Sequence, residues 1–326
     1  MVINAGETEN KGIDLTINST NITNKNFTWN TSITLSHNKN SVKKLTGEDV
    51  QLWEANFGYS QNTHIIGVNQ PLGQMYGYVT DGLYQVSDFD YDAATKTYTL
   101  KDGVPYAGEK GNVKPGMWKF KNIDGSKDNK ITEADKTVIG NAYPKIYGGI
   151  NNTFTYKDFD LSIFLTYSIG NDVFNATKLT NTKTALQNKN VLAVADSKHR
   201  WVLVNKAGDL ITDPQEMADI NKGKTVAAIY DNEAGDTYIH SWAVEDGSFL
   251  KLSNITLGYT FPKKMIRKVG LSKLRLYATG SNLLTWTKYS GFDPEVSTMG
   301  NGLTPGVDFG AYPRSRSFVF GINLAF

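Results

Sequence analysis

Residues 317–326 read SFVFGINLAF, and their alternation is the sharpest structural signal in the chain. In an extended strand Phe318, Phe320, Ile322, Leu324 and Phe326 share one face, while Val319, Gly321, Asn323 and Ala325 share the other. A strand that is greasy on one side and small or polar on the other belongs at a boundary between two solvents. The same period of two recurs upstream. In 11–18, KGIDLTIN, it sets Ile13, Leu15 and Ile17 against Asp14 and Thr16; in 27–36, FTWNTSITLS, it sets Phe27, Trp29, Ile33 and Leu35 against Thr28, Asn30, Ser32, Thr34 and Ser36. Segments 146–156, 159–169, 249–261 and 274–286 repeat it, with Ile255, Leu257, Tyr259 and Phe261 facing one way in the third of these. Helical periodicity is nearly absent.

The connectors alternate between two kinds. Residues 20–26, Lys157–Asp158 and 262–273 are short links, whereas the stretches between these hairpins far exceed the usual connection of ~4–6 residues. Short turns at one end and long loops at the other mark an outer-membrane β-barrel, whose strands need ~9–11 residues to cross. Phe27, Tyr156, Phe159, Phe261 and Phe326 fall at strand ends on the short-turn side, where an aromatic girdle would lie. The expected fold is therefore all-β: an antiparallel transmembrane β-barrel segment of about 7–10 strands from a larger barrel, with long extracellular loops. Residues 73–85 read equally as a further strand pair or as loop. The competing architecture is a secreted, calcium-stabilised β-sandwich that binds carbohydrate, whose strands would run only ~5–6 residues.

Composition excludes several functions. With 34 Lys and Arg against 32 Asp and Glu, the net charge of +2 provides no basic field for nucleic acid. Cysteine is absent, which removes disulfides and thiolate chemistry, and His37, His64, His199 and His240 show no zinc-binding spacing. No nucleophile elbow, phosphate-binding loop or dinucleotide fingerprint occurs, so an enzyme is not expected. No apolar run reaches the ~18 residues of a membrane helix. The opening MVINAGETENKGIDL lacks the features of a signal peptide.

One stretch carries site chemistry. Residues 124–135, DGSKDNKITEAD, place Asp124, Ser126, Asp128, Lys130 through its carbonyl, Thr132 and Asp135 at the ligand positions of a twelve-residue calcium loop. Asn129 stands where glycine is usual, and Asp135 is shorter than the usual bidentate Glu. Two readings stand: a structural calcium site of modest affinity that rigidifies an external loop, or a solvated acidic turn.

Taken together, GVDFGAYPRSRSFVFGINLAF (306–326), YSGFDPEVS (289–297), FLKLSNITLGYTFPKK (249–264), LYATGSNLLTWTKYSG (276–291), YGYVTDGLYQ (76–85) and NKGIDLTIN (10–18) resemble the C-terminal third of the SusC/RagA family of TonB-linked outer-membrane transporters. KTVIG at 136–140 also follows the acidic loop as it does in that family. The resemblance implies a barrel of about 22 strands around a plug domain, residence in the bacterial outer membrane, and uptake of oligosaccharides or oligopeptides. It also implies a SusD-like surface lipoprotein as lid, TonB as the energy source, and outer-membrane lipid around the wall. Signal peptide, TonB box and plug are not seen in these residues, so residue 1 resembles a cut in mid-barrel. Trp53, Tyr59, Trp118, Trp201, Trp242 and Tyr289 lie in the loops, and of these Trp53, Tyr59 and Trp242 are the expected contacts for ligand or lid; the other reading is that they pack the loops. Residues 171–235 form the expected docking surface for the lid.

Overall fold

The computed structural model describes residues 6–55, 61–183, 190–230, 238–298 and 302–326. Its principal feature is a seven-stranded sheet. The strands are β1 (Gly6–Thr23), β2 (Phe27–Leu45), β3 (Ile146–Tyr156), β4 (Phe159–Ile169), β5 (Phe249–Thr260), β6 (Lys273–Thr287) and β7 (Ser317–Ala325). They follow one another in space as in sequence, every pair antiparallel, with β1 and β7 as the edges.

The register assembles the alternating residues into continuous rows. Ile17, Ile33, Ile150, Leu165, Leu252 and Leu284 form one row across six strands. Nearer the short turns, Trp29, Phe154, Leu161, Leu257, Ala278 and Phe320 form another. At the rim Phe27, Tyr156, Phe159 and Tyr259 stand side by side, and Phe261 packs edge-on against Tyr259 at 4.9 Å. Much of this apolar face is exposed: Leu15 is 48% exposed, Leu257 51%, Phe318 67% and Phe320 81%. Polar residues on this face satisfy one another, Ser19 donating to Asn21 at 2.8 Å and Asn21 to the Thr31 hydroxyl at 2.6 Å. Thr31 donates to Asn152 at 2.7 Å, and the Trp29 indole donates to the same carbonyl at 3.0 Å, as a lipid-facing surface requires.

Three features were hidden in the alternation. β1 and β2 run to 18 and 19 residues, well past a membrane crossing, because their upper halves are polar on both faces. A bulge at Ser253 opposite Asn282 and Leu283 shifts the parity, so Leu250 and Leu252 face the same way as Ile255 and Leu257. Residues 73–85 belong to the loops: Gln74–Tyr78 is a strand of a separate four-stranded sheet with Val50–Glu54, Asn62–Gly67 and Lys136–Asn141, and Thr80–Leu83 pairs with Trp118–Phe120.

The long loops, not the sheet, contain the buried core. Trp201, Phe120, Tyr78, Trp118 and Met217 form one cluster, and Met75, Phe174, Leu179, Ile239 and Val307 form the next. These residues come from loops far apart in sequence.

Candidate functional site

The inner face of the sheet is lined by Thr, Ser and Asn. Its rows hydrogen-bond across strands, Thr166 with Ser253 at 2.7 Å, Thr256 with Thr279 at 2.9 Å and Ser281 donating to Asn254 at 2.8 Å, which holds hydroxyls and amides on a polar wall. Near the short-turn end the Arg275 guanidinium donates to both oxygens of Asp160, at 3.0 and 2.5 Å. Gly258 lies opposite Asp160 in the register, and a Cβ there would sit 2.4 Å from the guanidinium and 2.6 Å from the carboxylate. Gly321 serves Tyr277 in the same way, since a Cβ would overlap that ring.

At the opposite end, wall and loops enclose an open cleft of about 440 Å³. Tyr147, Thr166 and Phe249 of the wall face Asp172, Glu295 and Ser297 of the loops across it. Asp172 accepts a bond from the Asn141 amide at 2.8 Å, and burial pushes its carboxyl above the ordinary range. Lys251, buried at the top of β5, holds Glu295 at 2.7 Å, and Arg314 bridges Glu295 and Asp293 at 3.4 and 3.0 Å. Glu295 thus fastens its loop to the wall through Lys251, while Asp293 pairs within the loop through Arg314, and the two do not form a free acid and base pair.

The aromatic candidates separate. Trp53 sits on the edge strand Val50–Glu54 and lines an open groove of about 740 Å³ with Val50, Leu52, Ile65 and Tyr76. Trp242 does not line that groove; it packs on Trp118 at 4.8 Å and His240, with the Lys178 ammonium 4.1 Å above its ring. Tyr59 lies outside the described residues. Trp118, Trp201 and Tyr289 are buried core.

In the acidic loop Asn129 takes the left-handed conformation, φ 55°, that its glycine-like position requires. Asp135 is buried, and its two oxygens accept from the amides of Ile123, Asp124 and Thr132 at 2.8, 3.2 and 2.8 Å. Asp124 caps Ser126 at 2.7 Å and Asp128 caps Lys130 at 3.1 Å, with the Thr132 hydroxyl accepting from Ala134. Among the described residues no three acidic or histidine side chains converge as a metal site. In this arrangement the loop is closed by carboxylate to amide bonds.

Comparison with known proteins accounts for wall and loops at once. The chain is 33% identical over 330 residues to TonB-dependent receptor P3 of Formosa agariphila, covering 99% of the chain and 29% of that receptor. To TonB-dependent receptor SusC of Bacteroides thetaiotaomicron it is 28% identical over 330 residues, covering 100% of the chain and 27% of SusC. Along almost its whole length the chain is thus similar to TonB-dependent receptors, SusC among them. Its fold is that of a chain in the RagAB peptide transporter, with a TM-score of 0.66 at 22% identity over 99% of this chain and 30% of the transporter chain. The closed state of the RagAB importer matches with a TM-score of 0.63. No family model matches the sequence. The chain thus spans under a third of the length of these relatives.

Sequence reasoning missed the parts of this receptor-type site that join distant loops. Lys251 reads as one more charge in a strand, and Asp172 as one more loop acid. Only the fold brings Lys251 to Glu295 and sets Asp172 in the wall of the cleft.

Proposed function

We propose that this chain supplies part of the wall and outer chamber of an outer-membrane, TonB-dependent receptor that takes up oligosaccharides or oligopeptides with a SusD-like surface lipoprotein. The observation that carries this reading is the seven-stranded meander with an exposed apolar outer face and a polar inner one, in a chain similar to such receptors along 99% of its length. Lipid covers the apolar face; water and substrate meet the hydroxyls and amides of the inner face. Uptake is an activity of the whole receptor, with TonB acting through a region outside these residues. The likeness to RagAB supports the architecture and leaves the cargo open between the two classes.

Genetic removal of the complete receptor tests this. Growth on either oligosaccharides or oligopeptides as sole source is expected to fail and to return on complementation. Unchanged growth and uptake for both classes contradicts the reading. Pull-down of the tagged receptor is expected to recover a surface lipoprotein. Trp53, in its open groove, is the better-placed contact for ligand or lid, and Trp242 acts through the packing of the loops.

Calcium at 124–135 belongs to the same proposal, supported by the spacing of its oxygen donors. Asp124, Ser126, Asp128, the Lys130 carbonyl, Thr132 and Asp135 would hold it once Asp124 and Asp128 turn from the amides they cap. Chelation is expected to lower the melting temperature of the loops, and a chelator with no effect removes calcium from the account.

A further inference from the structure

The connector between β5 and β6, FPKKMIRKVGLSK, is the longest of the short links, and its residues divide cleanly by chemistry. Lys263–Ile266 is α-helical and continues as a 3-10 turn over Arg267–Val269, ending at Gly270 in the left-handed conformation. At about 100° per residue, Lys263, Lys264, Arg267 and Lys268 occupy one arc of this turn, and Met265, Ile266 and Val269 occupy the other. Ile266 is 3% exposed and anchors the turn to the protein, whereas Met265 and Val269 are 60% and 71% exposed. All four basic side chains are exposed, and none pairs with a carboxylate among the described residues. Lys25, Lys157 and Lys273 add exposed charge on the same side of the sheet. The turn is fixed at the rim of the apolar face, since the Phe261 amide donates to Leu274 at 2.9 Å and the Ser272 amide to Ala325 at 2.8 Å.

We propose that residues 262–273 form an interfacial anchor that binds anionic phospholipid headgroups in the leaflet on the short-turn side, with Met265 and Val269 dipping into the acyl boundary. Charge and hydrophobicity point to one occupant. Two exposed apolar side chains four residues apart continue the lipid-facing surface past the aromatic rim, and the basic arc beside them meets phosphate at headgroup depth. A water-facing or protein-facing loop gains nothing from exposing Met265 and Val269 next to the lipid boundary. The anchor would fix the depth of the wall from its short-turn side. It rests on the membrane-spanning reading of the sheet.

The test uses the complete receptor reconstituted in vesicles, with tryptophan introduced at one site at a time and the parent fluorescence subtracted. Brominated phosphatidylcholine and brominated phosphatidylglycerol serve as quenchers. Met265→Trp is expected to be quenched by both, with phosphatidylglycerol favoured at least about fivefold, the effect of one Lys or Arg near an anionic surface. The preference should fall to about one when Lys263, Lys264, Arg267 and Lys268 are all replaced by Gln, and again in high salt. Val269→Trp provides a second position should Met265→Trp fold poorly. Phe320→Trp, on the apolar outer face of the wall inside the aromatic rim, should be quenched equally by both lipids. If Phe320→Trp is quenched and neither Met265→Trp nor Val269→Trp is, the connector faces water or a protein and the anchor is overturned while the membrane reading stands. Equal quenching of Met265→Trp by the two lipids removes the headgroup specificity. Failure to quench at Phe320 as well overturns the membrane reading itself.

Discussion

The wall and the loops follow opposite rules of burial. In the sheet most large apolar residues face outward, with Phe320 81% exposed and Ile322 64%, and most polar residues face inward. In the loops Trp201, Phe120 and Phe174 are each 1% exposed, as in the core of a water-soluble domain. One chain with both patterns is built for two solvents. The sheet relies on lipid to cover its apolar surface, while the loops bury their own, so each should respond to different insults.

Acid should separate them most strongly. His64 is fully buried with its Nε2 donating to the Pro305 carbonyl at 2.9 Å, and burial pushes it down to about 4; burial also pushes His240 down to about 3, helped by Lys183 and Lys178. Unfolded His titrates near 6.5, so each stabilises the loops fully above that pH, and this is lost as pH falls through 6.5 toward 4 and then 3. His64 alone is worth about 3 kcal/mol across that window. Proteolysis of the loops should therefore accelerate below pH 6 with the wall still protected, and His64→Gln should flatten the profile near pH 5.

Trp201→Ala removes a buried ring from the loop core and should cost the loops about 3–5 kcal/mol in thermal or proteolytic assays, with membrane insertion unchanged. Phe320→Arg is the converse. One row inside the short-turn rim, it should cost about 1–2 kcal/mol, between the midplane and interface values, read as a loss of heat-modifiable folded receptor in membranes. If Trp201→Ala blocks insertion, or Phe320→Arg is neutral, the two regions are not independent. The smallest effect is expected for Arg275→Ala, since the Asp160 pair is partly exposed, with side chains 21% and 39% accessible; about 1 kcal/mol or less should be seen.

The wall was legible because lipid imposes a period of two that survives in any window of nine residues. It became illegible where that rule lapses. The upper halves of β1 and β2 are polar on both faces, and the bulge at Ser253 reverses parity inside one strand. The loop body was hidden for a different reason. Its strands are short, and its core depends on contacts such as Trp118 with Trp242 that no local pattern reports. The acidic loop was legible as a turn through Asn129, but not the strapping role of Asp135, which depends on its burial.

The central claim is that the alternating face of β7 meets lipid. The chain has no cysteine, so single cysteine substitutions from Phe318 to Leu324 in the complete receptor, with any cysteine outside these residues replaced, give a clean scan. Residues 318, 320, 322 and 324 should react with a lipid-soluble thiol reagent and resist a water-soluble one, and residues 319 and 323 should do the reverse; Gly321 is left out because a side chain there would meet the Tyr277 ring. Uniform reactivity toward the water-soluble reagent along the strand would contradict the account.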